Sequence, residues 1–126
     1  MTPEDQNAVH TGIEKTVKVC HGASTAAGWW KDADLSDRHT VPAKLCLIHS
    51  EISEAMEGHR KGLPDDKLPH RKMIEVELAD AFIRIADLAG ALGLDLGGAV
   101  VEKLRYNAHR ADHKPENRAV AGGKSY

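Results

Sequence analysis

The chain has 126 residues, 41% of them hydrophobic, and a formal net charge of -2, enough for one domain with a single modest core. Aromatic residues make up only 4%, and no run alternates Val, Ile, Thr and Tyr, which excludes a sheet-dominated fold. A sequence pI of about 6.4 offers no basic field for nucleic acid, no apolar stretch nears the ~20 residues of a bilayer span, and the polar N-terminus is unlike a signal peptide. A cytoplasmic protein with small-molecule partners, and neither nucleic acid nor membrane, is expected.

The expected fold is all-α: a bundle of about four main helices in a single domain, with a helix and loop over 1–40, a helical core over 41–112 and a loose tail over 113–126. Thr2-Pro3-Glu4-Asp5 starts the first helix with a capping hydroxyl, a proline in the first turn and acids at the positive end of the dipole. That helix is expected to reach Val19 or beyond. From His21 to Thr40 the glycines Gly22 and Gly28, the pair Trp29-Trp30 and the acid-rich Lys31-Asp32-Ala33-Asp34 read as a helix end and a loop. Tryptophan stacks on a base in some sites and covers a core edge in most, and packing is favoured for at least one of this pair. Cys20 and Cys46 lack CxxC spacing and read as two small buried hydrophobes.

Pro42 opens the second helix, with Leu45, Ile48, Ile52, Ala55 and Met56 at helical spacing and Leu47, Glu51 and Glu54 on a neighbouring stripe. The run from Arg60 to Pro69 reads as a polar turn or exposed loop. The third helix is expected from about His70 to Leu92, apolar nearly all round and therefore largely buried. Gly93 stops it and Asp95 caps a fourth helix over roughly Leu96 to Ala111.

Each central helix carries an acidic signature, Glu51-Ile52-Ser53-Glu54 and then Glu77-Leu78-Ala79-Asp80. Residues three apart share a helix face, about 4.5 Å apart along the axis, so each signature aims two carboxylates the same way. Without a cation such pairs repel, and more strongly once packing removes water. Four carboxylates converging from two antiparallel helices make a hard-oxygen cage for Mg²⁺, or Mn²⁺ in its place, with coordination positions left for phosphate. The bland alternative is a solvated helix face. The fourth helix adds Lys103, Asn107 and Arg110 at i, i+4 and i+7, a stripe that complements an acidic metal site or decorates a surface. His109 and His113 offer only two zinc ligands where four are usual, and read as an exposed polar pair.

These residues resemble the MazG-type all-α nucleoside triphosphate pyrophosphohydrolases, particularly the small single-domain forms. The resemblance covers roughly Leu45 to Tyr126 and rests on three stretches: Leu47 to Ala55, Glu77-Leu-Ala-Asp80 followed by Ile83 to Leu88, and Lys103 to Arg110. It implies that Glu51, Glu54, Glu77 and Asp80 hold Mg²⁺ on a triphosphate. Water then attacks between the α- and β-phosphorus to give a monophosphate and pyrophosphate. Lys103, Asn107 and Arg110 are implied as phosphate or nucleoside ligands, and the assembly as a homodimer or dimer of dimers. Glu51 or Glu54 is the candidate to orient or deprotonate the water. The N-terminal third matches no motif of the family, so Trp30 is a base-binding candidate on chemistry alone. Two rivals stand beside this reading. A di-iron bundle requires Glu-x-x-His on two helices, a spacing the chain lacks, whereas a non-catalytic dimerising helical protein requires nothing further.

Overall fold

The computed structural model describes residues 1–125; Tyr126, the end of the expected tail, lies outside the described residues. The elements are α1 (Pro3–Ala26), α2 (Thr40–Lys61), α3 (Met73–Ala91), α4 (Leu96–His109), a 3₁₀ turn (Ala111–His113) and the short α5 (Pro115–Arg118). The fold is all-α with four main helices, and the described residues hold no strand, only an isolated antiparallel bridge between Pro64 and Lys72. None of the described helices is long and apolar enough to cross a membrane.

The chain divides into two compact units, a central one over Lys15–Leu94 and a terminal one made of Met1–Glu14 with Asp95–Tyr126. In the central unit α2 and α3 run antiparallel: Gly58 on α2 abuts Met73 at the start of α3, and Glu51, two turns back, meets Arg84 further along. Ala55, Ala81, Ala86 and Ala89 are buried with Leu88, so small side chains let the two backbones come close. α2 begins at Thr40, placing Pro42 in the first turn where its missing N–H costs nothing. It ends at Gly62, whose φ of 63° turns the chain back, with the N–H groups of Gly62 and Leu63 donating to the carbonyls of His59 and Gly58.

Four expectations are corrected here. α1 reaches beyond Val19, as expected, but runs through Gly22 to Ala26, so the loop begins later than His21: His21 and Ser24 hydrogen-bond to Asp87 of α3 and hold a turn that local propensity does not. Gly90 of α3 makes that approach close: a Cβ there would sit 2.6 Å from Cβ of His21. The stretch between α2 and α3 is no simple exposed turn. It folds around buried Asp65, whose carboxylate accepts from the N–H groups of Lys67 (3.0 Å) and Leu68 (2.7 Å), and α3 starts only at Met73. α3 is not buried all round, since Leu78, Phe82, Ile83 and Ile85 remain between 38% and 50% exposed. Finally, Cys46 is exposed and Cys20 only half-buried.

In the terminal unit α1 opens with a reciprocal cap, Asp5 N–H donating to Thr2 Oγ1 (3.0 Å) and Thr2 N–H to Asp5 Oδ2 (2.8 Å). Asp95 caps α4 by accepting from Gly98 N–H, and Glu14 accepts from Gly97 N–H, both at 2.8 Å. α4 stops at His109, short of Ala111. The 3₁₀ turn follows at once, and the expected loose tail contains α5, tied back to that turn by Asn117 Nδ2 donating to the Ala111 carbonyl at 2.6 Å.

Candidate functional site

Glu51, Glu77 and Asp80 each bring one carboxylate oxygen within 4.8 Å of the other two, across the α2–α3 contact. Helix geometry explains the set. Residues three apart are separated by about 60° around the axis, so the two members of a signature need not face the other helix equally: α3 brings both Glu77 and Asp80 into the trio, and α2 only one member. On α2 that member is Glu51, which is buried, while Glu54 is exposed. All four carboxylates line one cleft of about 830 Å³, closed on the loop side by Leu63, Asp65 and Lys67, but Glu54 sits at its edge and not in the tight trio. The expected four-ligand set is thus a trio with a neighbour.

The electrostatics of the trio are unbalanced. Burial, then a shared hydrogen bond with Glu51, then the charges of Glu54, Glu51 and Asp80 push the Glu77 carboxyl up to about 7. Asp80 is raised too, by burial and by the Glu51 charge, with Arg84 and Lys67 pulling the other way. Burial acts upward on Glu51 as well, but hydrogen bonds from Arg84 and from Glu77, with the Arg84 charge, outweigh it and leave this carboxyl below its ordinary value. Arg84 Nε donates to Glu51 Oε1 at 2.6 Å, an inter-helix pair in which the Glu51 side chain is 9% exposed and the Arg84 side chain 43%. Two carboxyls of three therefore resist ionisation in the metal-free protein. Clustered hard oxygens with that unmet negative charge fit a small divalent cation.

On the other side of Glu51, Asp80 and Arg84 lies a second cavity, of about 410 Å³, walled by Trp29, Trp30, Lys44, Leu47 and Ile83. Trp30, the base-binding candidate, is one of its walls. Trp30 Nε1 donates to Asp87 Oδ1 at 2.8 Å, its ring meets His21 edge-on, and Lys44 Nζ lies 4.4 Å from the ring centroid. Its ring is already engaged. Trp29 is 72% exposed and supplies the open aromatic surface. Asp87 accepts from His21 Nδ1, Ser24 Oγ and Trp30 Nε1, all at 2.8 Å, so it is a structural hub and not a further metal ligand. Because Ser24 donates to Asp87 rather than to His21, no activated nucleophile arises from these three. Glu75, the other acid near the signature, is exposed and pairs with Arg71.

Lys103, Asn107 and Arg110 belong to the terminal unit, and among the described residues neither cavity at the acids is lined by any of them. Nor do they form one helix face. α4 ends at His109, and Arg110 adopts an extended backbone (ψ 135°) that turns it to Asp112, with Nη2–Oδ2 at 2.5 Å. Lys103 Nζ lies 4.7 Å from the Tyr106 ring centroid, and Asn107 Oδ1 is buried without a hydrogen-bond partner among the described residues. His109 is exposed with Nδ1 2.8 Å from the Arg105 carbonyl, which leaves the His109–His113 pair a surface feature.

Arg84, Lys44, Lys67 and Asp65 were not among the expected site residues. Arg84 had a signal, since it stands four residues after Asp80 and so on nearly the same face of α3. Lys44 stands on α2 seven residues before Glu51 and so on nearly the same face, whereas Asp65 and Lys67 depend on how the loop folds, which no periodicity encodes. No family model, curated protein or solved structure matches the chain.

Proposed function

We propose that the protein is a Mg²⁺-dependent nucleoside triphosphate pyrophosphohydrolase that cleaves between the α- and β-phosphates of a nucleoside or deoxynucleoside triphosphate. The observation that carries this reading is the trio of Glu51, Glu77 and Asp80, a set of converging carboxylates with raised proton affinity at two of its members. Its neighbours add support: an aromatic cavity on one side and a Lys67-bearing cleft on the other. The motif resemblance to MazG-type enzymes points to the same chemistry.

In this proposal Glu51, Glu77 and Asp80 hold the metal, and Glu54, exposed at the cleft edge, orients the attacking water as a general base. A bound Mg²⁺ would offset the charge on the triphosphate and help fix it for in-line attack. Lys44 and Lys67 add positive charge on the two sides of the acids, and Trp29 stacks on the base. Lys103, Asn107 and Arg110 enter only through the resemblance, as phosphate or nucleoside ligands. The test is a screen of common and modified nucleoside triphosphates for pyrophosphate release with Mg²⁺ or Mn²⁺. Folded, metal-supplied protein that turns over none of them would favour the rival, a non-catalytic dimerising module. That rival draws its support from the Arg84–Glu51 pair, which would by itself bolt α2 to α3.

If Trp29 is the stacking surface, Trp29→Ala should raise KM about 5- to 100-fold, the usual loss of ~1–3 kcal/mol per stacked base, and leave kcat within a few-fold. Steady-state kinetics decides; an unchanged KM removes Trp29 from the site. We also propose a homodimer or dimer of dimers. Leu45, Ile52 and Met56 of α2 and Leu78, Phe82 and Ile85 of α3 recur at helical spacing, each between 38% and 65% exposed, a larger run of apolar surface than scattered residues give. Light scattering at micromolar concentration should give a multiple of 13.7 kDa, and a monomer there would refute the assembly.

A further inference from the structure

Among the described residues outside the trio, Arg84 alone both touches the acids and lines the two cavities beside them. Its contact with Glu51 uses Nε alone. The two terminal nitrogens have no hydrogen-bond partner among the described residues, and the side chain is 43% exposed. A guanidinium held along one edge, with its other edge open, differs from a purely structural inter-helix pair, which gains most by docking both nitrogens of a fork on the carboxylate.

We propose that Arg84 is the phosphate ligand of this site, its Nε kept on Glu51 while its terminal nitrogens receive two oxygens of a polyphosphate. The inference rests on the pyrophosphohydrolase reading and names a residue which that reading does not supply. Glu51 has two tasks in this arrangement. Its negative charge fixes the guanidinium in place before substrate arrives, so that little side-chain freedom is lost on binding. In return, the Arg84 charge lowers the pull of the trio on any divalent cation, because Glu51 is already partly neutralised. Arg84 thereby trades metal affinity for anion affinity.

That trade gives two readouts of opposite sign, neither of them turnover. Mn²⁺ binding is measured by titration calorimetry on the full chain without substrate, and inorganic diphosphate binding on the same protein saturated with Mn²⁺. Arg84→Gln should bind Mn²⁺ about tenfold more tightly, and bind diphosphate on the order of tenfold or more weakly, the usual weight of a charge-assisted hydrogen bond. Arg84→Lys keeps the charge and the fold but cannot bridge two oxygens and Glu51 at once. It should leave Mn²⁺ affinity within a few-fold and still weaken diphosphate. If Arg84→Gln fails to fold, the lysine variant decides alone. Diphosphate affinity equal to the parent's in Arg84→Lys overturns the proposal, as does Mn²⁺ affinity unchanged or weakened in a folded Arg84→Gln. A parent protein that binds no Mn²⁺ overturns the metal reading itself, and this inference with it. Mn²⁺ binding by the parent, with no effect of either variant on diphosphate, rejects only the role of Arg84.

Discussion

Glu77→Gln and Asp80→Asn should each cut pyrophosphate release by a hundredfold or more, on the order expected for loss of a direct charge-stabilising ligand, while the metal-free variants melt at or above the parent temperature. The stability half of this expectation follows from the unequal state of the trio. Glu77 is raised by burial and by three neighbouring carboxylates, and Asp80 by burial and by Glu51, so each is a charge the apo fold tolerates at a loss. Replacing either with its neutral isostere keeps the shape and removes repulsion. Glu51 is the counter-example. Among the described residues it alone of the trio is hydrogen-bonded to an arginine, so Glu51→Gln breaks a pair and should cost roughly 1–2 kcal/mol, below the ~3–5 kcal/mol of a fully buried pair because Arg84 is partly solvated. Thermal melts with and without Mg²⁺, alongside pyrophosphate release, check both halves. Lower apo stability in Glu77→Gln or Asp80→Asn, with the Mg²⁺ response intact, would show those acids to be structural.

A second large effect is a crossing of pH profiles. Glu77 has its folded value raised from 4.5 to about 7, so the folded protein holds this proton more tightly than the unfolded chain does. Its contribution is fully present below about pH 4.5 and is lost as pH rises through about 7. Asp80 is shifted in the same direction and adds to the loss, while Glu51, shifted downward, contributes the opposite way and only at acid pH. The Glu77 shift alone corresponds to ~3 kcal/mol, which solvent and salt screening reduce to about 1–2 kcal/mol. Metal-free protein should therefore lose melting temperature between pH 5 and 8. If Mg²⁺ binds the deprotonated trio, as proposed, the increment in Tm it adds should grow across the same window. Scanning melts at fixed ionic strength give the two curves. A metal-free Tm that rises over this range would mean that Glu77 keeps an ordinary carboxyl.

The helices were legible because their signals are local: the Thr2–Asp5 cap, Pro42 in a first turn, Gly62 and Gly93 as stops, and Asp95 as a cap all stand where the periodic apolar stretches begin or end. Convergence of the acids was legible for the same reason, since a three-residue step fixes a face. What remained hidden depends on partners distant in sequence. Gly22 looked like a helix end because nothing nearby reveals that His21 and Ser24 bond to Asp87 more than 60 residues away. The exposure of Phe82 and Leu78 contradicts a helix read as buried from its composition, because composition reports how much surface is apolar and not what covers it. Arg110 was placed on a helix face that the chain leaves one residue earlier, an error of boundary that moved a whole side chain.

The Asp87 hub gives the two walls of the candidate site different lifetimes. The acids ride on α2 and α3, a hairpin of neighbours in sequence that carries most of the buried residues of the unit. The aromatic wall is held differently: α1 has Val17 as its one buried residue, and its end, with Trp30, is tied down by three hydrogen bonds to a single carboxylate. Peeling that segment away sacrifices little apolar contact, and its re-closure must bring together residues 57 to 66 positions apart, against 33 for Glu51 and Arg84. The segment bearing Trp30 is thus the first to open under mild stress and the last to settle on refolding, and amide exchange should be faster at the end of α1 than in the α2–α3 hairpin. A partly opened molecule keeps its carboxylates in register after it has lost the surface on which a base would rest.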